Sequence, residues 1–481
     1  MGECVRLEKM DFSQTIVAIS TAPGVGAIGI VRMSGSDALA IIKLIFRTEA
    51  ESTAKFELKS HQSRHGFILA DSEIIDEVVV TAFLSPNSYT GEDVVEISCH
   101  GNPLIARRIL SACLEKGARC AEPGEFTQRA FLNGKIDLTQ AEAVLDLIQA
   151  KTEQGSQGAL SILKGDLGKE VKVIREQLKD LLTNIVASID FPNEVEQLSN
   201  DKIETVVEQS LTRLKALAKT ARSGKYIREG LKLAIVGRPN AGKSSLLNCL
   251  LKVERAIVTD MPGTTRDSLE EQFDINGIPV VLVDTAGMRN TDDHIEKLGI
   301  ERTKQVLSDS QLVLLVGDLT CGWQEEETKI LTAIENKPWI LLWNKSDLMP
   351  KQGGNKPDLD QCLAKTADAN GSHPNRALAC LSISAKTGHG IEELAKQIED
   401  WVFVGGKPQE VGASLNTRQA ALCEKAMEAL QLMKKTLSYG MPHDCLATDL
   451  KTTLDSLSEI TGVAVSEEVI TAVFANFCIG K

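Results

Sequence analysis

Long apolar runs are missing from this 481-residue chain, and with them any segment of the kind that crosses a membrane or forms the core of a signal peptide. The opening Met1-Gly2-Glu3-Cys4-Val5-Arg6 has no apolar core, and Arg6 stands where a myristoylation signal needs Ser or Thr. Cys478 is fourth from the end, but Gly480 and Lys481 do not complete a prenylation box, and no polybasic stretch precedes them. Paired cysteines are also missing. The eleven Cys include no C-x-x-C and no Cys/His cluster, so neither a disulfide framework nor structural zinc is expected. Positive charge is in deficit: 53 Lys and Arg against 66 Asp and Glu leave a net charge of −13. That excludes coating nucleic acid by bulk electrostatics, while leaving room for a local basic patch. The expectation is a soluble, cytoplasmic protein with free thiols and no membrane contact.

What is present is enough for two or three domains, since 481 residues with 43% hydrophobic content exceed one ordinary domain. The first 120 or so residues read as a compact α+β domain. Strand-like runs fall at 15–19, 28–33, 78–84 and 94–98, with helices around 37–46 and 103–116. The turn Pro23-Gly24-Val25-Gly26 is too short for a dinucleotide fingerprint. From about 140 to 215 the pattern is helical. Leu160, Leu163, Leu167, Val171, Ile174, Leu178, Leu181 and Ile185 form an apolar stripe that predicts one continuous seam along roughly seven turns. The helical pattern resumes late in the chain, with Leu422, Ala426, Ala429, Met433 and Leu437, then Leu446, Leu450, Leu454 and Leu457. The reading is one helical bundle domain with another domain inserted into it. Residues 351–376, rich in Gly, Asn, Lys, Asp and Pro, read as a flexible surface insertion.

The inserted stretch carries five nucleotide-site motifs in order. Gly237-Arg238-Pro239-Asn240-Ala241-Gly242-Lys243-Ser244 follows the apolar run Leu233 to Val236 and precedes a helix starting at Ser244-Ser245. Strand, Gly-rich loop and helix N-terminus point backbone N–H groups and a positive dipole end at one spot. Lys243 then suits the β- and γ-phosphates, and Ser244 a Mg²⁺ ion. In Gly263-Thr264-Thr265-Arg266-Asp267, Thr265 can complete the Mg²⁺ shell. Asp284-Thr285-Ala286-Gly287 follows Ile278 to Val283; its Asp can hold Mg²⁺ through water, and the Gly287 N–H can sense the γ-phosphate. Asn344-Lys345-Ser346-Asp347 follows Trp339 to Trp343, and Asp347 can accept from N1–H and the exocyclic amine of guanine. Ser384-Ala385-Lys386 would back the base. One such tetrapeptide is a plain loop; five in order, after apolar strands, predict a GTP-binding domain.

One residue is conspicuously missing. Where many GTPases carry a water-orienting glutamine, directly after the Asp-x-x-Gly motif, this chain has Met288. Another group must place the water, and Glu296, Asp292 and Asp293 are the carboxylates nearby; the residues alone do not choose among them. Charge neutralisation is equally open between Arg266, Arg289 and a monovalent cation held in part by the Asn240 amide oxygen.

Four further segments carry a resemblance. They are Gly29-Ile30-Val31-Arg32-Met33-Ser34-Gly35, the stretch 87–96 from Asn87 to Glu96, the stretch 123–138 from Pro123 to Leu138, and the terminal Cys478-Ile479-Gly480-Lys481. With the nucleotide motifs they make the chain similar, nearly end to end, to the MnmE (TrmE) family of tRNA-modification GTPases. Mild departures are Asn102, where a glycine is common, and Ala475-Asn476 in the tail.

The resemblance implies a multidomain α/β protein. An N-terminal α+β folate-binding and dimerisation domain would span 1–133, a helical domain 134–228 and 404–481, and an inserted P-loop GTPase domain with a mainly parallel sheet 229–403. It implies a homodimer that works with an FAD-dependent MnmG-type partner, as a heterotetramer or larger, on the wobble uridine of certain tRNAs. An aminomethyl-type or carboxymethylaminomethyl group is installed at C5, with a tetrahydrofolate derivative (5,10-methylene- or 5-formyl-) as one-carbon source. Arg32, Glu96, Lys135 and Lys481 would contact the folate. Potassium would stimulate hydrolysis, held by Asn240, Thr259, Met261 and Thr264, and Glu296 would orient the water. Arg289 and Cys478 are further catalytic candidates; a Cys478 thiol that activates C5 and a purely structural one are left even. A switch-type GTPase of ribosome assembly is the alternative, and it would need neither the folate motifs nor the Cys-Ile-Gly-Lys tail.

Overall fold

The computed structural model describes residues 12–48, 58–196, 198–253, 272–283, 306–334, 337–349, 376–404 and 414–481. Its contacts divide into two units, 1–145 with 458–481, and 146–457.

The first unit is built on a seven-stranded sheet. Its strands are β1 (Ile16–Ile19), β2 (Ile28–Ser34), β3 (Phe46–Arg47), β4 (Gln62–Ala70), β5 (Glu73–Phe83), β6 (Val94–His100) and β7 (Arg119–Cys120), in the order β3-β4-β5-β6-β2-β1-β7. All neighbours are antiparallel except β1 and β7. Along β5 buried and exposed residues largely alternate, as they must where one face is solvated and the other packed. Helices α1 (Ala38–Ile45) and α2 (Pro103–Glu115) cover the packed face; Ile41, Ile42, Ile109 and Ala112 close on Val31, Met33, Val80 and Ile97. Asn102, one of the departures noted above, has a local purpose: its side chain accepts the Leu104 N–H and caps α2, with Pro103 at the first position. The short α3 (Glu125–Leu132) and then α4 (Leu138–Gln149) follow.

In the second unit the predicted seam is broken. Helix α5 (Glu153–Leu163) ends before Gly165, whose φ of 88° is left-handed, and α6 (Asp166–Asp190) starts anew. Leu160 is 41% exposed, so the stripe that truly packs runs from Leu167 to Ile185. A left-handed glycine ends helices readily, and the three-and-four spacing happened to continue across it. Helix α7 (Asn200–Glu229) leads through Gly230 directly into β8 (Leu231–Val236), the strand before the phosphate loop. The sheet that follows has six strands in the order β13-β12-β11-β8-β10-β9. After β8 come α8 (Lys243–Val253), β9 (Gln272–Ile275), β10 (Ile278–Leu282), β11 (Leu312–Asp318), α9 (Glu325–Ile334), β12 (Pro338–Asn344), β13 (Arg376–Ser382) and α10 (Ile391–Val402). Only β9 is antiparallel. Every residue of β11 is buried, and all but the first of β12, as expected of central parallel strands.

Beyond the sheet, α11 (Thr417–Ser438) starts with a capping box between Asn416 and Gln419, and α12 (His443–Thr461) follows. Helix α11 runs antiparallel to α7: Cys423 Sγ donates to the Leu214 carbonyl at 3.5 Å, and Lys434 meets Glu204 at 3.2 Å. The chain closes in the first unit with α13 (Glu467–Phe474), whose Phe474 packs with Phe477, Leu138 and Ala141. No helix among the described residues is long and apolar enough to cross a membrane. The 351–376 insertion lies outside the described residues apart from Arg376, which opens β13.

Candidate functional site

The phosphate loop leaves the carboxyl end of β8, and its backbone geometry is dictated by close neighbours. A Cβ at Gly237 would lie 2.3 Å from the Val316 carbonyl oxygen, and one at Gly242 2.1 Å from Asn344 Nδ2. Asn240 sits at the exposed crest with φ 59°, a left-handed conformation that asparagine tolerates. Lys243 Nζ donates to the carbonyls of Gly237 at 2.9 Å and Arg238 at 2.8 Å, and burial holds its pKa below the usual lysine range. Ser244 and Ser245 occupy the first turn of α8, where N–H groups and the helix dipole favour an anion.

The base-recognition motifs are interlocked with this loop. Asn344, at the carboxyl end of β12, donates from Nδ2 to the Ala241 carbonyl at 2.9 Å and accepts the Ala385 N–H at 3.0 Å. Ser384 Oγ donates to Asp347 Oδ1 at 2.7 Å, which orients the carboxylate proposed to read guanine. Lys345, at φ 66°, extends its ammonium to Asp318 Oδ2 at 2.7 Å. Lys386 is exposed beside them in sequence. The sites thus gather at the carboxyl ends of parallel strands, where open α/β sheets bind ligands.

A carboxylate pair beneath this surface went unnoticed in the sequence. Asp318 ends β11 and Glu327 lies in α9, and together they face Arg238 of the phosphate loop. Arg238 Nε is 3.2 Å from Glu327 Oε1, though out of line for a hydrogen bond, and Arg238 Nη2 is 3.9 Å from Asp318. Burial alone would raise the Asp318 pKa, but hydrogen bonds from Lys345 and Thr320 outweigh it and hold the carboxyl below its ordinary value. One aspartate therefore touches the Lys of the fourth motif and approaches the Arg of the first. No periodicity marks it, because its role depends on two loops meeting.

The first unit holds a second constellation. Arg32 on β2 pairs with Glu96 on β6, its register neighbour, at 2.9 Å from Nε and 2.7 Å from Nη2. Its guanidinium lies 5.8 Å from the ring centroids of both Tyr89 and Phe126. The tail crosses here: Gly480 O accepts from Ser20 Oγ at 3.1 Å and Arg32 Nη1 at 3.5 Å, and Lys481 O accepts the Phe126 N–H at 3.2 Å. Burial and then the nearby Arg32 charge lower the Lys481 pKa, against the pull of Glu96 and Cys478. Arg32, Glu96 and Lys481 are therefore brought together. Lys135 is not in contact with them; its ammonium donates to the Pro86 carbonyl at 2.9 Å, in the loop that carries Tyr89. Cys478 is exposed, and its carbonyl faces the Gly124 N–H.

Behind this surface lies a buried ion network that sequence reasoning did not single out, although all its members but Arg119 stand within the quoted motifs. Arg129 (1% exposed) bridges Glu92 at 3.0 Å and Glu125 (0% exposed) at 2.9 Å, and Arg119 also holds Glu125, at 2.7 Å. Ser34 bonds both Thr90 and Glu92 at 2.7 Å. The network clamps the 87–96 segment to α3. Thr259, Met261, Thr264, Thr265, Asp284, Thr285, Ala286, Gly287, Met288, Arg289, Asp292, Asp293 and Glu296 lie outside the described residues, as does Arg266.

Known proteins resemble this chain along most of its length. The family model described as the MnmE helical domain matches residues 138–478, and the model described as the GTP-binding protein TrmE N-terminus matches 15–135. The tRNA modification GTPase MnmE of Chloroflexus aurantiacus is 44% identical over 98% of this chain and 100% of its own length. Its namesakes in Moorella thermoacetica and Enterococcus faecalis are each 41% identical, over 97% and 98% of this chain and 99% of their own. Among solved structures, the G domain of the Thermotoga maritima FeoB iron transporter is 26% identical over 36% of this chain and 98% of its own, with a TM-score of 0.24. The elongation factor SelB of Methanococcus maripaludis, with a GTP analogue, is 22% identical over 35% of this chain and 33% of its own, with a TM-score of 0.26. Two domain models and near-full-length identity above 40% lead to one statement: the chain belongs to the MnmE family of tRNA modification GTPases.

Proposed function

We propose that this GTP-hydrolysing enzyme of tRNA modification couples GTP turnover, in the presence of Mg²⁺ and K⁺, to a one-carbon transfer from a reduced folate onto C5 of the wobble uridine, as a homodimer working with a flavin-dependent MnmG-type partner. Ser244 and Thr265 would hold Mg²⁺, and the exposed Asn240 amide, left free of hydrogen bonds among the described residues, suits a potassium ion. Such a cation supplies positive charge beside the phosphates. Glu296 would orient the attacking water, with Arg289 a second candidate in the same segment. Lys243 contributes an ammonium poised within the loop, and Asp347, fixed by Ser384, selects guanine over adenine.

The observation that carries the one-carbon reading is the meeting of Arg32, Glu96 and the Gly480-Lys481 tail, three parts of the chain far apart in sequence. A carboxylate suits the amidine-like edge of a pterin, and cations suit the glutamate tail. The aromatic rings of Tyr89 and Phe126 line the same guanidinium. Lys135 would join from the opposing loop, and Cys478 sits beside the site for a role at the pyrimidine or in the tail's structure. The ribosome-assembly alternative leaves this arrangement without a purpose.

Calorimetric titration with 5-formyltetrahydrofolate tests the reading. The full chain should bind, and Arg32→Ala should abolish binding without altering GTP turnover; absence of binding by the unaltered chain sinks it. GTP turnover should be faster in potassium than in sodium, and Glu296→Ala should lose most of it. Equal rates in both salts would refute the potassium role.

A further inference from the structure

An acidic protein that acts on tRNA must offer the polyanion some face other than its average surface. Helix α7 contains one. Between Arg213 and Arg228 it carries six basic residues and no acidic one, whereas its first 13 residues, 200–212, carry three acids and a single lysine. Arg213 pairs with Glu170 at 3.4 Å and Arg228 with Asp146 at 3.3 Å. Lys215, Lys219, Arg222 and Lys225 have no ion pair among the described residues, and all four are exposed. Positions 215, 219 and 222 are spaced four and three apart and so share a face, with 225 one turn further on. The row spans about 15 Å of helix.

Two observations separate this row from an ordinary solvated helix. Helix α6 in the same unit shows the ordinary pattern: Lys169, Lys172, Arg175 and Lys179 are interleaved with Asp166, Glu170, Glu176 and Asp180. Between Arg213 and Arg228, helix α7 has no such interleaved acids. Arg222 also lies over aromatic rings, with its guanidinium carbon 4.5 Å from the Trp401 ring centroid and 5.8 Å from that of Tyr226. An arginine fixed on an aromatic face keeps its planar donors pre-organised for phosphate or for stacking on a base. At the other end, Lys215 lines an open groove between α7 and α11 with Lys434 and Lys435. Lys434 is committed to Glu204 and Glu208, but Lys435 is exposed and extends the basic row.

We propose that this face of α7 is where the phosphate backbone of tRNA rests; the proposal builds on tRNA being the substrate. The test is titration of fluorescently labelled tRNA with the full chain at about 50 to 200 mM salt. The triple variant Lys215→Gln, Lys219→Gln, Lys225→Gln should bind at least ~10-fold more weakly at the lowest salt, and the slope of log K against log salt should shrink by about 2. The corresponding Lys→Arg triple should bind like the parent chain. A control triple on α6, Lys169→Gln, Lys172→Gln, Lys179→Gln, should change neither quantity, and GTP turnover without tRNA should be the same in all. An unchanged affinity and slope in the α7 triple, or an equal loss in the α6 control, overturns the proposal while leaving the tRNA reading intact. So does retained tRNA binding with loss of an acidic protein partner. No binding by the unaltered chain overturns both.

Discussion

Asn344 and Ala241 lie 103 residues apart, yet the Asn344 amide donates to the Ala241 carbonyl at 2.9 Å, and its oxygen accepts from Ala385. One buried side chain thus ties the phosphate loop, the guanine motif and the Ser-Ala-Lys motif together. A site held in this way loses little conformational freedom when nucleotide binds, which favours affinity.

Gly242→Ala should break this tie. The added methyl meets Asn344 Nδ2 at 2.1 Å, and φ of 96° is strained for any residue with a Cβ. Either Asn344 moves or the loop opens, so GTP and GDP affinity should fall by ~100-fold, about 2.7 kcal/mol. Titration with a fluorescent GDP analogue reads this directly. Affinity within a factor of about three of the parent chain would show that the Asn344 contact does not shape the loop.

Asp347→Asn should exchange the base preference. The Ser384 hydroxyl holds the carboxylate in place at 2.7 Å, so an amide there takes the same position but presents a donor where guanine also donates. Turnover of GTP should drop by at least ~100-fold in kcat/KM, and turnover of xanthosine triphosphate should rise, since a site built for hydrogen bonds rejects the mismatched partner. Retained preference for GTP would place base recognition elsewhere.

Parallel strands β8, β10 and β12 were legible in the sequence because burial on both faces leaves unbroken apolar runs, as at Leu233 to Val236 and Trp339 to Trp343. Strands β1, β2, β5 and β6 were legible from short β-branched runs. Strand β4 was not, because its first four residues, Gln62 to His65, are exposed and carry no apolar period. The left-handed break at Gly165 was hidden by spacing that continued across it. At the candidate site, the motifs singled out Arg32 and Glu96, which the fold pairs, and Asn344 and Asp347, which it ties to the Ala241 carbonyl and to Ser384. Asp318, Glu327 and the Glu92-Arg129-Glu125 network stayed hidden, since charged residues acquire a role only when folding buries and pairs them.

Thiol reactivity should follow burial and charge. The hydrogen bond from Arg238, then that from Thr320, holds the exposed Cys321 thiol below its ordinary pKa. Burial pushes Cys113 up to about 12 and Cys423 up to about 11. Since the thiolate is the nucleophile, iodoacetamide with mass mapping on the native chain should label Cys321 early and Cys113 and Cys423 only after denaturation. Arg238→Ala should slow Cys321 labelling at neutral pH. Prompt labelling of Cys113 in native protein would contradict the packing of α2.

The Glu125 carboxylate should make the first unit sensitive to acid. Its side chain is fully buried, which alone would raise its pKa; hydrogen bonds from Arg119, the Glu122 N–H and Arg129 outweigh burial, and the net shift is downward. A carboxyl whose folded pKa lies below its unfolded value of about 4.3 contributes stability fully above that value and loses it as pH falls through the folded one. Thermal unfolding followed by circular dichroism should therefore show the midpoint declining as pH drops below about 4. Glu125→Gln should flatten that decline while lowering stability at neutral pH. Glu125→Ala should do more harm, because it leaves the buried Arg129 with Glu92 as its remaining carboxylate; removing one member of a buried ion pair costs about 3–5 kcal/mol. If Glu125→Gln kept the same acid slope as the parent chain, the network would be packing filler rather than the clamp that holds the 87–96 segment against α3.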